Sequence, residues 1–412
     1  MMAETNVRSG SRMVLGPVDG DLHVGRNVVL SAEDGKSIFV TGTAYLEVPV
    51  KIEGSLLCRS LQVRGRGYRA GDSVTVVGDL RIEGDADVLS SIDVAGGIKA
   101  ANLGVGGHLM SGSLSAKNAR VGGHLETKGS LEAENLTVGG HLTSGGAVKI
   151  NNLCVGGHAE IAGGTITGEI KVMGHLTTQG SLEFGELEVL GHLDMPGGTV
   201  GRRLVALGKV SFHGDASFGM LEVRGVVNVD GDCTSEHIDV TGVLKVLRSL
   251  TVAKELVIAG VVDSRERVRC QRLTLAGRLA VNELVVDDLA DISGEVLATV
   301  RITCKSIITR KGSRINGAIV ADTAEVGVKE AIMGPLMVLR PFTAKTKVKD
   351  IYANKVILGR NARAERVFGR VVELHEASAV GELQYTEELN AHGNYHTERA
   401  PVRVERLPQP PS

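Results

Sequence analysis

Tryptophan is absent from this 412-residue chain, and aromatic residues together make up only 3% of it. Ordinary globular cores draw much of their buried area from large aromatic side chains, so a core of that kind is excluded here. No apolar run approaches the roughly 20 residues that a helical membrane span requires. The opening, MMAETNVRSGSR, is short and polar, and predicts neither a signal peptide nor an amphipathic anchor. The five cysteines (Cys58, Cys154, Cys233, Cys270, Cys304) are dispersed without a C-x-x-C pair. They are read as reduced thiols of a cytoplasmic protein, Cys233 as a buried inert one. The formal net charge of −2 offers no global attraction to nucleic acid or membrane. No phosphate-loop, nucleophile-elbow or H-E-x-x-H motif occurs, and nothing gathers a nucleophile, a base and oxyanion donors in one place. An enzyme is therefore not expected, and neither is a cofactor.

What the chain has instead is glycine, 54 residues of it, placed with a period. VGGHL begins at Val105, Val121 and Val138, followed by VGGHA at Val155, VMGHL at Val172 and VLGHL at Val189. From Val121 the step is 17 residues each time. One glycine column runs from Gly123 through Gly140, Gly157, Gly174 and Gly191 to Gly242, and a second from Gly112 to Gly231. Apolar columns share the register, such as Leu136, Leu153, Ile170 and Leu187, with Val138, Val155, Val172 and Val189 two residues later. An offset of two across a polar residue is strand alternation. A unit of about three short strands cannot bury its apolar face alone, but stacked copies can. The sequence therefore predicts an all-β, single-stranded parallel β-helix solenoid of 16–18 residues per turn and roughly 20 turns. At ~4.8 Å per turn it would form a rod on the order of 100 Å long. Glycine at its corners is expected where φ is positive or where turns approach closely.

The expected organisation is a disordered tail over 1–13, irregular turns over 14–100 and the regular repeat over 101–326. C-terminal turns follow over 327–390, then a proline-rich flexible tail over 391–412. The register slips by one residue after Leu250, and the period becomes 16 near the end, as in Ile351, Val367 and Leu383. The stretch from Gly327 to Thr346, with Pro335 and Pro341, is where an irregularity is expected.

Two features are candidates for chemistry. The column His108, His124, His141, His158, His175 and His192 would stack imidazoles on one corner. Imidazole suits zinc, copper or nickel, but no Cys, Asp or Glu adjoins these positions to complete a ligand set. An outward ladder of polar rings that holds register is the favoured reading, and no metal site is assigned. The second feature is charge. Nine cations fall between Arg340 and Arg370 (Arg340, Lys345, Lys347, Lys349, Lys355, Arg360, Arg363, Arg366, Arg370), and Glu373, Glu376, Glu382, Glu387 and Glu388 follow them. Without interleaved aromatics this does not suit single-stranded nucleic acid, and a solvated, self-complementary face is the favoured reading.

The segments Asp350–Gly359 (DIYANKVILG), Val367–Leu374 (VFGRVVEL) and Val380–Glu387 (VGELQYTE) resemble the closing turns of bactofilin-type polymer-forming cytoskeletal proteins. The resemblance implies a right-handed β-helix that polymerises end to end without nucleotide in a prokaryotic cytoplasm. Its partner is then chiefly itself, with the tails open to other cytoskeletal or membrane-associated proteins. This chain is longer than usual for that family, and it carries His375, Glu376 and Ala377 where a glycine-rich corner is more usual. Candidate assembly contacts, chosen by position at the two ends, are Val14, Leu15, Leu22 and Val24, with Val380, Leu383, Tyr385 and Leu389. The rival readings are a binding or metal-binding scaffold that uses the histidine column, and a β-helix enzyme. The latter is disfavoured by the 17-residue period, which is not hexapeptide, and by the scarcity of aromatics to stack on sugars.

Overall fold

Alternation with period two sets the architecture. The computed structural model describes residues 4–64, 73–329 and 345–411. Among these the chain is all β, with no helix, and its parallel strands stack as a β-solenoid of about 22 turns. It divides into two compact units, Met1–Gly201 and Arg202–Ser412.

In the first unit the repeat becomes stacking in register. Leu125 lies beside Leu142, Leu142 beside Ala159, Ala159 beside Leu176, and each partner is 17 residues on. Leu136, Leu153, Ile170 and Leu187 are all 2% exposed or less. Each such side chain contributes about 1.5–3 kcal/mol by leaving water. In the second unit the register carries Leu256 to Leu273 at a step of 17, and Ile351 to Val367 to Leu383 at 16. The one-residue slip after Leu250 is absorbed by register shifts next to Ser235 and Val252.

Close approach explains the corner glycines. A methyl group at Gly140 would lie 2.6 Å from the Gly123 carbonyl oxygen, and one at Gly157 would lie 2.5 Å from that of Gly140. Positive φ is required elsewhere, for example at Gly163 (118°) and Gly214 (140°) in the second column. The contrast with Gly104, where a methyl would meet nothing nearer than 3.7 Å, yields a prediction. Gly140→Ala should destabilise by about 1–3 kcal/mol because backbone, not a yielding side chain, must shift. Gly104→Ala should stay within roughly 0.5 kcal/mol of wild type. Equal thermal unfolding midpoints for the two variants would refute the close-approach account.

The ends differ from the tails expected of them. Residues 4–13 are not free: the strand Glu4–Val7 pairs with Asp21–Val24, and Arg12–Leu15 pairs with Val28–Ala32. At the other end His396–Thr397 and Val402–Arg403 add to the strand Ala379–His392. Both segments look like tails in sequence because a terminal turn has a neighbour on one side only and carries few apolar residues. The irregularity expected over 327–346, including Pro335 and Pro341, falls mostly on residues 330–344, outside the described residues. No helix among the described residues is long and apolar enough to cross a membrane.

Candidate functional site: a stacked imidazole corner and two terminal edges

The six histidines do form a continuous stack. Each follows a corner glycine, and backbone bonds clamp the corner: the Leu109 and Leu125 amides donate to the His124 and His141 carbonyls, both at 2.8 Å. Ring centroids along the stack lie 4.6, 4.6, 6.1, 5.6 and 5.4 Å apart. His124 and His141 are nearly parallel, 3° between planes. The rings of His108, His124, His141 and His175 are exposed, and those of His158 and His192 half-buried. The proton affinity of His124 is held below the ordinary imidazole value, by desolvation first and then by the charges of His108 and His141.

Lone pairs of an imidazole lie in the ring plane, so face-to-face rings direct them side by side and not toward one point. Among the described residues no group of three or more His, Cys, Asp or Glu is placed to hold a metal ion. The acidic residues Glu126, Glu160 and Asp194 stand two residues after His124, His158 and His192, and in the strands His158–Ile161 and His192–Pro196 that spacing puts acid and imidazole on the same outward face. The stack as it stands is a row of imidazoles along one corner, one per turn.

A second ladder, not anticipated from the sequence, runs parallel to it. Asn118 donates to Asn102 at 2.7 Å, Asn135 to Asn118 at 2.8 Å and Asn152 to Asn135 at 2.9 Å. It starts at Asp85, which accepts from Asn102, and ends where Asn152 accepts from the Glu169 amide. The signal was present as asparagine recurring at steps of 16 and 17.

The thiols offer no chemistry at the core. Burial pushes Cys58, Cys233, Cys270 and Cys304 up to about 12, with Glu83, Asp287 and Asp322 adding to the effect at Cys58, Cys270 and Cys304 respectively. Nucleophilic thiolate is thereby suppressed.

The charged C-terminal region resolves into pairs between turns. Lys355 meets Glu373 at 3.0 Å, Arg360 meets Glu376 at 3.1 Å, Arg366 meets Asp350 at 2.7 Å and Arg370 meets Glu387 at 2.7 Å. Four of the nine cations are thus matched to carboxylates about one turn away. Arg340 lies outside the described residues.

The terminal contact candidates separate by burial. Val14 is 63% exposed, while Leu15, Leu22, Val24, Val380 and Leu383 are buried. Tyr385 and Leu389 are half-buried. Leu22 and Val24 belong to the second turn and are covered by the strand Glu4–Val7. Val380 and Tyr385 are paired to Thr397 and Arg403. What the ends do present is backbone. The strands Glu4–Val7 and Arg12–Leu15 are each paired along one edge only among the described residues, and so are residues 388–392. Exposed apolar side chains accompany them, Met13 and Val14 at one end and Tyr395 and Val402 at the other. Compared with protein-family models, curated proteins and solved structures, the chain finds no match.

Proposed function

We propose that this chain is a non-enzymatic structural protein that assembles with copies of itself end to end, without nucleotide, as bactofilin-type cytoskeletal proteins do. The observation that carries this reading is the half-paired terminal turn. An unpaired strand edge is a template for a further strand, and a parallel solenoid offers one at each end with the matching turn geometry. No cofactor takes part, and a prokaryotic cytoplasm is the setting that the family resemblance supports. The alternative, a binding or metal-binding scaffold built on the imidazole column, is second because the stacked rings lack a converging third ligand.

Negative-stain electron microscopy of the tag-free protein tests the proposal. Filaments should form without nucleotide, and Val14→Lys combined with Val402→Lys should leave only short or single particles. Both residues are exposed, so the substitutions spare the core. Single particles at every wild-type concentration, or unchanged filaments in the double variant, would overturn the reading.

A further inference from the structure

Phenylalanine is a core residue in this protein, with one exception among the described residues. Phe184, Phe212, Phe218 and Phe368 are each 4% exposed or less, whereas Phe39 in the first unit is 47% exposed. Its register partner one turn on is Leu57, followed by Arg81 and then Lys99. All four side chains point outward, since the residues that follow them, Val40, Cys58, Ile82 and Ala100, are buried.

This column is one wall of a groove of about 750 Å³, a volume within the range of small-molecule sites. The groove spans four turns, or ~14 Å at ~4.8 Å per step. The strand Ser37–Glu47 carries one residue more than its partner between Val40 and Thr43. An extra residue of that kind bends a strand, and here the bend falls at the floor of the groove. Two residues further along the chain from Leu57 and Arg81, Arg59 and Glu83 also line it.

The two halves of the column differ in chemistry. Phe39 and Leu57 make its first two turns apolar, and Arg81 and Lys99 make its next two cationic. Arg81 has a carboxylate beside it, Asp79 at 3.3 Å, whose other oxygen accepts from the Gly97 amide. Arg59, Lys99 and Glu83 form no ion pair among the described residues. Three cations therefore share the groove with one lining carboxylate. The apolar wall next to them excludes water and strengthens any charge contact made there. A bare inorganic ion would leave Phe39 in water, and a neutral apolar molecule would leave the cations unmatched.

We propose that this groove binds a small organic anion, a flat apolar body that carries a carboxylate, sulfonate or phosphate. The body lies on Phe39 and Leu57, and the anionic head sits between Arg81 and Lys99, where the guanidinium fork suits two oxygens at once. The inference does not depend on self-assembly.

Fluorescence titration of the full chain tests this with anilinonaphthalene sulfonate as the probe. Phenylnaphthylamine, which has the same body and no charge, is the comparison. Wild type should bind the sulfonate saturably, one per chain, and about tenfold or more tighter than the amine. Arg81→Gln with Lys99→Gln should remove that preference, weakening the sulfonate about tenfold or more and changing amine binding little. Phe39→Ser should weaken both probes about tenfold. A matched variant, Arg120→Gln with Lys128→Gln, removes the same charge from exposed positions elsewhere in the first unit and should titrate like wild type. All the substituted side chains are exposed, and circular dichroism checks that each variant is folded. No saturable binding by wild type, equal affinity for the two probes, or equal losses in the groove and matched variants would overturn the proposal. So would groove variants that titrate like wild type.

Discussion

Acidification from about pH 8 to about pH 5 should destabilise the first unit, and replacement of all six stacked histidines by asparagine should remove most of that loss. The sign follows from His124, whose folded-state proton affinity is lowered by desolvation and by its two ring neighbours. An unfolded imidazole takes up its proton near its ordinary value, 6.5. Below that value the unfolded chain binds more protons than the folded one, so stability falls as pH falls through 6.5 and continues down to the lowered folded value. Above it the group contributes no pH dependence. At ring separations of 4.6–6.1 Å, two imidazolium ions repel by a little under 1 kcal/mol in water, and the stack holds five such neighbour pairs. Salt and the carboxylates of Glu126, Glu160 and Asp194 reduce the sum without reversing it. Hydrogen exchange corrected for intrinsic rates is the suitable readout, because a repeat array need not unfold as one unit. Protection over residues 108–192 should drop on acidification more than protection in the second unit. A six-His→Asn protein with the same acid sensitivity as wild type would show that the carboxylates, and not the imidazoles, carry it.

That the imidazoles could be placed at all from sequence reflects parallel stacking in register. Such stacking turns a fixed step along the chain into adjacency in space, so His124 and His141 had to meet once Leu125 and Leu142 did. The same logic made the apolar columns and corner glycines legible. It failed where the step changes or the composition thins. The asparagine ladder begins with a step of 16, from Asn102 to Asn118, before the step of 17 sets in. Residues 4–7 and 396–403 carry too few apolar side chains to advertise strands, since a terminal turn buries little. Which of the contact candidates are exposed was also invisible, because burial at an end depends on which turn is last. Leu22 has the composition of an end contact, but lies one turn inside it. Charge pairing was legible only as two blocks of opposite sign. The pairing of Arg370 with Glu387 and of Arg366 with Asp350, in opposite directions along the chain, required the register.

Arg366→Met with Asp350 left in place should cost about 3 kcal/mol, the largest loss expected from any single charge substitution in the second unit. Asp350 is 4% exposed, and the Arg366 guanidinium approaches both its oxygens, Nε to Oδ1 and Nη2 to Oδ2, each at 2.7 Å. Tyr352 and Phe368, two residues further along the same strands, stack at 4.8 Å beside the pair and help keep water away. Removal of the arginine strands a carboxylate in that site, whereas the guanidinium is itself half in water and gives up little packing. Asp350→Asn combined with Arg366→Met should recover part of the loss, since no charge is then left without a partner. Arg366→Lys should fall between, because an ammonium keeps the charge and forfeits the two-pronged geometry. The comparison that isolates burial is Arg360→Met, whose partner Glu376 is exposed. Breaking that pair should cost no more than about 1 kcal/mol. Urea unfolding followed by circular dichroism distinguishes the cases. A shift in Arg366→Met no larger than in Arg360→Met would mean that water reaches Asp350 freely, and that the register of the last turns rests on their apolar columns alone.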